Sequence, residues 1–333
     1  MRALVCESYG LPRDLVLREW SSPKPGPNEV VVSVRAAAVN FPDTLIIQGL
    51  YQFKPDLPFV PGSDLSGVVK EVGAKITHLK TGDEVFGFVA NGAFAEEVLV
   101  SGLDCFLKPP QMSFEIGASF MMAYGTSYHA LKDRARIRQG ETLLVLGASG
   151  GVGLAAIELG KLMGARVIAA ASTEGKLQLC KKQGADELIN YTSEDLKARL
   201  KELTHGKGID VIYDPVGGTL SEVALRGISW QGRYLVVGFA AGEIPKIPLN
   251  LPLLKGCQIV GVFWGSFVMK DPKSNLKNTI ELMEMYAKGQ LKPRIHATYV
   301  LEEATKALEE MMDRKVSGKA IIIKLAYRHG VDA

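Results

Sequence analysis

The run Leu143-Leu-Val-Leu-Gly-Ala-Ser-Gly-Gly-Val-Gly153 holds the residues whose spacing most clearly points to chemistry: an apolar strand, a glycine turn, and a helix opening near Val152. Such a turn binds pyrophosphate. Gly147 takes the tight turn that ends the strand, Gly150 and Gly151 let backbone approach phosphate closely, and Gly153 lets the helix pack on the sheet. Ala148, Ser149 and Val152 complete the turn, and N–H groups at the helix start point at the anion with the helix dipole behind them. About 20 residues further on, where an acidic side chain would bond the ribose hydroxyls of NAD, the chain reads Ala171-Ser172-Thr173. Nothing there repels a 2′-phosphate.

The surrounding elements decide whether that turn is more than a strand ending. Arg166–Ala171 reads as the next strand, Leu177 to Gln183 as helix, 188–191 as the third strand, and 209–213 and 232–238 as further buried strands separated by helical stretches; 257–263 is a sixth buried run. Strand and helix alternate, which calls for a parallel sheet and a doubly wound α/β unit. The first 120 or so residues differ. Short β-rich runs (29–34, 67–72) are punctuated by Pro23, Pro25, Pro27, Pro55, Pro58 and Pro61, and Thr81-Gly-Asp83 forms a turn before 85–88, so this part reads as a mostly-β domain. Ser113 starts a short helix, and helical pattern continues from Ala123 to Leu131. Beyond the sixth run come amphipathic helices at 276–288 and 301–312 and a closing strand at 319–325. That strand has a more natural place in the β domain than as a seventh strand of the parallel sheet, so the chain is expected to leave the first domain and return to it, with a cofactor and substrate meeting in the cleft.

At 333 residues the chain fits two domains. Its 39 basic and 36 acidic residues are mixed along the sequence for a net charge of +3, which speaks against nucleic acid or membrane as partner. Four cysteines (Cys6, Cys105, Cys180, Cys257) lie about 75 to 100 residues apart with no metal-binding spacing and read as reduced thiols. No signal-peptide core and no membrane-length apolar stretch is present. The cytoplasm is the expected compartment, with the mitochondrial matrix as the alternative if a presequence has been trimmed.

These motifs carry a likeness that covers nearly the whole chain. Residues 140–153 resemble the signature of the quinone oxidoreductase (zeta-crystallin) family of zinc-free medium-chain dehydrogenase/reductases, and Val39-Asn-Phe-Pro-Asp43, Pro61-Gly-Ser-Asp-Leu-Ser-Gly67 and Gly82-Asp-Glu-Val85 match its first domain. Leu253-Leu-Lys255 and Phe263-Trp-Gly265 narrow the likeness to one branch. Glu158 departs from the glutamine most members carry and is expected on the helix surface. The resemblance implies a GroES-like mostly-β catalytic domain formed by 1–123 and 265–333, a Rossmann domain at 124–264, and a homodimer or homotetramer joined through the latter.

Zinc alcohol dehydrogenases of this superfamily need a cysteine and a histidine-glutamate pair where this chain has Asn40 and Ser63-Asp64, so no metal site is expected. Without a metal or strong base an alkoxide is hard to reach. Reduction of an electron-poor acceptor, a quinone or an alkene conjugated to a carbonyl, is therefore the expected direction. By resemblance Asn40 and Tyr51 lie near the substrate as donors to the developing anion. Equally, Asn40 is a residue bonding backbone in a turn and Tyr51 a half-buried loop residue. A second tyrosine common in the family is Leu45 here.

Thr126 matches a residue beside the nicotinamide, or else bonds back along its helix. Gly238, Phe239, Phe263 and Trp264 either line the nicotinamide side or belong to the core. By resemblance Ser172, Lys176, Tyr191 and Arg314 hold a 2′-phosphate, which favours NADPH over NADH. The leading function is NADPH-dependent, zinc-independent hydride transfer to quinones or α,β-unsaturated carbonyl compounds. An enoyl-thioester reductase and an NADPH-binding, crystallin-like structural protein with little turnover remain as alternatives.

Overall fold

The computed structural model describes residues 1–324, and the chain forms two compact units, Met1–Met122 with the segment from Pro293, and Ala123–Lys292. The last position of the expected closing strand, Leu325, and the end of the first domain at 333 therefore lie outside the described residues.

In the first unit β1 (Arg2–Val5) and β2 (Val16–Glu19) form an antiparallel ribbon. The main sheet is built from β3 (Glu29–Val39), β4 (Asp64–Val72), β5 (Glu84–Phe88), β6 (Glu97–Ser101), β7 (Cys105–Leu107), β14 (Ile295–Val300) and β15 (Lys319–Ile323). Its order is β14-β15-β3-β4-β5-β7, with β6 on β3. The closing strand thus joins the β-rich sheet: β15 runs antiparallel to β3 and parallel to β14. Val30, Val32, Val34, Leu65, Val69, Val85, Phe94, Ile322 and Leu308 share its main core. Two short helices border the sheet, α1 (Phe41–Ile46) directly after β3 and α2 (Phe114–Ala118), whose start Ser113 caps by accepting from the Ile116 N–H at 3.2 Å.

The second unit has six parallel strands: β8 (Thr142–Val145), β9 (Arg166–Ala171), β10 (Glu187–Asn190), β11 (Ile209–Asp214), β12 (Ile228–Val236) and β13 (Gln258–Gly261). Their order is β10-β9-β8-β11-β12-β13, the Rossmann arrangement, and it reverses between β8 and β11. Successive strand residues face opposite sides. Leu144, Ile168 and Ile212 pack with Leu196, Leu200, Ala224 and Leu225 from α6 (Leu196–Leu203) and α7 (Thr219–Arg226). Their neighbours Leu143 and Val167 lie against Gly160 of α4 (Gly151–Leu162). Burial on both faces explains the continuous apolar runs in the sequence.

Two expectations change here. First, residues 265–292 belong to the second unit. Helices α9 (Trp264–Lys270) and α10 (Pro272–Ala287) are tied to the helical stretch at 121–134. Asn278 Nδ2 donates to Asp133 at 2.8 Å, Tyr128 Oη donates to Glu281 at 2.7 Å, and the His129 ring stacks on Phe267 at 3.9 Å. Polar pairing inside this helical layer is invisible to a periodicity argument, which read α10 only as amphipathic. Second, the sixth strand is an exposed edge: Ile259 keeps 42% of its surface. The helical stretch itself is π-helical at Met121–Gly125 and His129–Arg134 around α3 (Thr126–Tyr128), a local widening that recurs at functional sites.

Candidate functional site

In the second unit the glycine turn sits where the strand order reverses, the position at which open α/β sheets bind ligands. Gly147 has φ 56°, and a Cβ there would meet Val216 Cγ2 at 2.7 Å, so the loop after β11 closes against the turn and leaves room for glycine alone. Gly153 is constrained differently: a Cβ would lie 2.7 Å from the carbonyl oxygens of both Gly147 and Ala148. Gly150 is the N-cap of α4 in an extended conformation, and among the described residues no side chain caps that helix. A twelve-residue helix therefore presents Gly151, Val152 and Gly153 at an end held by the turn that Ala148 and buried Ser149 complete. An anion satisfies such an end.

The loop after β11, whose Val216 closes against the turn, is braced by Asp214. One carboxylate oxygen accepts the N–H groups of Val216 (2.7 Å) and Gly217 (2.9 Å), and the other accepts Ser221 Oγ at 2.7 Å and the Tyr234 hydroxyl. Spacing along the sequence gave no sign of this role, since its partners come from the loop after β11, from α7 and from β12. Gly238 and Phe239 follow β12 and lie by the same loop: Gly238 N donates to the Asp214 carbonyl, and Phe239 touches the space above Gly217.

Beyond β9 the chain places Ser172, Lys176 and Tyr191 together. Parallel pairing sets Asn190 of β10 beside Ala171, and Tyr191 N bonds the Ala171 carbonyl at 3.2 Å. Thr173 caps α5 (Glu174–Lys182), which turns Lys176 back so that its ammonium lies 3.4 Å from Ser172 Oγ. These groups and the uncapped turn fit a dinucleotide with a 2′-phosphate: one cation, hydroxyl donors and no carboxylate at the end of β9. Arg314 lies in the first unit, exposed and with φ 58°, after α11 (Ala304–Met312). Thr126 is 8% exposed at the start of α3. Trp264 is buried and its indole covers Gly125, so it packs as core, whereas Phe263 stays 47% exposed.

Glu158 is buried, not on the helix surface as expected. It accepts the Tyr124 hydroxyl at 2.6 Å and the Lys292 N–H at 3.0 Å, so it bonds the chain near both positions where one unit gives way to the other. Burial raises its carboxyl above the ordinary value, and the hydrogen bonds oppose this. Such a group binds its proton more tightly when folded, so its favourable contribution is complete below the unfolded pKa and is lost as pH rises through the folded one. Glu158→Gln is thus expected to gain stability relative to the native chain as pH rises from 4 to 8. Glu158→Leu, which strands a buried hydroxyl and an N–H, should lose about 2–4 kcal/mol at any pH. Denaturant melts across pH measure both.

The first unit gathers a different set. The β15–β3 register pairs Ala320 with Val39 and so sets Lys319 opposite Asn40, while Asp64 opens β4 opposite Ala38. Three strand ends thus meet. Lys319 Nζ donates to Asn40 Oδ1 and, at 3.3 Å, to Asp64 Oδ2. Asn40 Nδ2 donates to Asp64 Oδ2 at 3.2 Å and to the Ala38 carbonyl at 3.3 Å. Asp64 Oδ1 accepts Met122 N at 3.1 Å, and Asp43 accepts Asn40 N at 2.7 Å and Ser63 Oγ at 3.5 Å. All of Asn40, Asp43, Ser63, Asp64 and Lys319 are buried. Burial pushes the Asp43 carboxyl up to about 7 and raises that of Asp64, whose rise is opposed by Lys319 and Asn40. Half-buried Tyr51 is held above the ordinary phenol value by burial and by the nearby Asp43 charge. Asp43 and Lys319 escaped the sequence reading, because a lone lysine 279 residues from Asn40 carries no spacing signal.

Among the described residues no group of three or more His, Cys, Asp or Glu converges as metal ligands. At the place of the zinc ligands Asn40 Oδ1 and Asp64 Oδ2 accept from an ammonium and Asp64 Oδ1 from the Met122 N–H, a set that does not fit a zinc ion.

Comparison with known proteins agrees with these two constructions. Residues 26–110 match the alcohol dehydrogenase GroES-like domain family and residues 151–284 the zinc-binding dehydrogenase family. The chain is 40% identical over 324 residues to a quinone oxidoreductase-like protein 2 homolog from Nematostella vectensis, covering 96% of this chain and 88% of the relative. It is 33% identical to human quinone oxidoreductase, covering 97% and 98%. The crystal structure of Escherichia coli quinone oxidoreductase complexed with NADPH is similar at a TM-score of 0.90 and 30% identity, covering 97% and 100%. With a relative of this identity along nearly its full length, and with both expected units in place, the chain belongs to the quinone oxidoreductase family of medium-chain dehydrogenase/reductases.

Proposed function

We propose that the protein is an NADPH-dependent reductase that delivers hydride to quinones or α,β-unsaturated carbonyl compounds without a catalytic metal. The observation that carries this reading is the pairing of an uncapped glycine turn at the strand-order reversal with Ser172, Lys176 and Tyr191, and no carboxylate, at the end of β9. Its NADPH-complexed E. coli relative supports the same cofactor. Gly147 to Gly153 would hold the diphosphate and Ser172, Lys176 and Tyr191 the 2′-phosphate, with Arg314 as a further candidate. Thr126, Gly238, Phe239 and Phe263 are the candidates for the nicotinamide side. When bound, the reduced nicotinamide supplies hydride. A proton must follow, and the first unit carries the groups to provide it: Tyr51, with Asp43 close enough to shift its hydroxyl.

Purified protein incubated with NADPH and, separately, 9,10-phenanthrenequinone, 1,2-naphthoquinone, a 2-alkenal or crotonyl thioester tests the reading through loss of nicotinamide absorbance. Turnover with a quinone or alkenal is expected. Faster turnover with the thioester would favour an enoyl-thioester reductase, and a raised melting temperature with NADPH but no turnover would favour the structural role. A chain that neither responds to NADPH nor consumes it sinks the proposal.

We also propose a homodimer or homotetramer, formed through the second unit. Among the described residues the β13 edge has no neighbouring strand on one side, and Trp230, Leu249, Leu253 and Leu254 expose 70–80% of their surfaces near it in the chain. An open edge with exposed apolar side chains favours self-pairing. Light scattering is expected to show a dimer or larger assembly that Leu253→Asp with Leu254→Asp reduces to monomer; a monomeric native chain would refute it. No helix among the described residues is long and apolar enough to cross a membrane. Four free cysteines suit a reducing compartment, for which the cytoplasm is our first choice.

A further inference from the structure

We propose that Thr192 is a positioning residue for the 2′-phosphate of the cofactor: its hydroxyl latches the chain beyond β10 to the Ser172 carbonyl, and so sets how strongly NADPH is preferred to NADH. This rests on the reductase reading above and deepens it by naming what fixes the choice of cofactor. Every residue involved lies in the second unit.

Strand pairing alone does not hold the phosphate-binding residues together. The β9–β10 register ends where Asn190 lies beside Ala171, and one more main-chain bond, from Tyr191 N to the Ala171 carbonyl at 3.2 Å, closes the ladder. Beyond it the two chains part. Thr173 caps α5 on one side, and on the other the chain turns through Thr192 to Asp195, which caps α6. Ser172, Lys176 and Tyr191 are half-buried while Thr173 and Thr192 are exposed, so a ligand in solution can reach this place.

Thr192 joins the parted chains again. Its Oγ1 donates to the Ser172 carbonyl at 2.9 Å. The turn that carries it is closed on itself: Asn190 Oδ1 accepts the Thr192 N–H at 3.1 Å, the Asn190 carbonyl accepts the Glu194 N–H at 2.8 Å, and Glu194 Oε1 accepts Asn190 N at 2.6 Å. Since the Asn190 amide oxygen must face that N–H, it offers the hydroxyl a second acceptor, at 2.6 Å, and the hydroxyl is held between the two. On the far side of Ser172, Lys176 Nζ donates to Ser172 Oγ at 3.4 Å. Thr192, Ser172 and Lys176 therefore form one line of hydrogen bonds across the ends of β10, β9 and α5.

Donors already spaced for a dianion bind it more tightly than donors that must be ordered as it arrives. Without the latch the chains after β9 and β10 can separate. That costs NADPH affinity and leaves NADH, which has no phosphate to span them, nearly unaffected.

Thr192→Val keeps the shape of an exposed side chain and removes the hydroxyl, and Thr192→Ser keeps the hydroxyl. Calorimetric titration of native chain and both variants with NADPH and with NADH tests the latch. Thr192→Val is expected to bind NADPH about three- to tenfold more weakly, the worth of one hydrogen bond, with NADH within about 1.5-fold of native. Thr192→Ser should match the native chain with both nucleotides. Unchanged NADPH binding by Thr192→Val, an equal loss for both nucleotides, or a serine variant that behaves like the valine one overturns the latch. A native chain that binds the two nucleotides equally overturns the 2′-phosphate reading beneath it, whereas a native preference that survives in Thr192→Val overturns the latch alone.

Discussion

Gly150→Asp is expected to weaken NADPH binding at least 100-fold while leaving the protein without nucleotide as stable as before, or slightly more so. Gly150 lies at φ −74° and ψ 169°, a conformation open to any residue, and a Cβ there meets only the Gly147 carbonyl, at an ordinary 3.5 Å. Aspartate at the N-cap accepts a hydrogen bond from the first turn of α4 and interacts well with the helix dipole, which is worth about 0.3 kcal/mol over glycine. The same carboxylate fills the space a diphosphate needs and repels it. Fluorescence titration with NADPH and a thermal melt without it measure the two halves. Undiminished binding would show that the diphosphate does not use this turn. Gly153→Val cannot serve in its place, because its side chain would press on two main-chain carbonyls that have no room to yield, and lost binding would then report only a distorted turn.

Lys176→Ala should lower affinity for NADPH about 10- to 100-fold and leave NADH within twofold, so that the preference between the two cofactors nearly disappears. The reason is local. The ammonium lies 3.4 Å from Ser172 Oγ at the end of β9, and a phosphate dianion held by one cation and hydroxyls loses most of its charge-assisted bonding when the cation goes. Because this site is half-exposed, salt should compete with it: raising ionic strength should weaken NADPH binding to the native chain more than to the variant. Calorimetric titration of both nucleotides at two salt concentrations provides the check. A preference for NADPH that survives the substitution would move the 2′-phosphate contact elsewhere, with Arg314 the next residue to replace.

How much of this could be read beforehand differs sharply between the two units. In the second, the signal is local: strand, turn and helix are consecutive, the turn needs glycine for steric reasons, and the strand that follows ends within 20 residues of it. Nearest-neighbour geometry therefore carried the reading from Leu143 to Thr173, and only the family resemblance extended it to Lys176. The same locality explains the errors. Helices α9 and α10 were assigned to the wrong unit, since their amphipathic pattern says that they pack but not on what; Asn278 and Glu281 settle that through partners about 145 residues away. Glu158 looked like a surface position because nothing nearby in sequence reveals Tyr124 and Lys292 closing over it.

In the first unit Asn40 could be picked out, but its role could not. Which of its atoms donate, and to what, depends on β15 lying beside β3 in a register that sets Lys319 opposite it, and on β4 bringing Asp64 to the same end of the sheet. The amino-acid sequence by itself determined the two-part architecture, the glycine turn between β8 and α4 and the missing acid after β9, because each depends on residues close along the chain. Only the tertiary structure decided which buried charges share a site, since pairing between distant strands is a property of the whole sheet and leaves no periodicity or spacing to read.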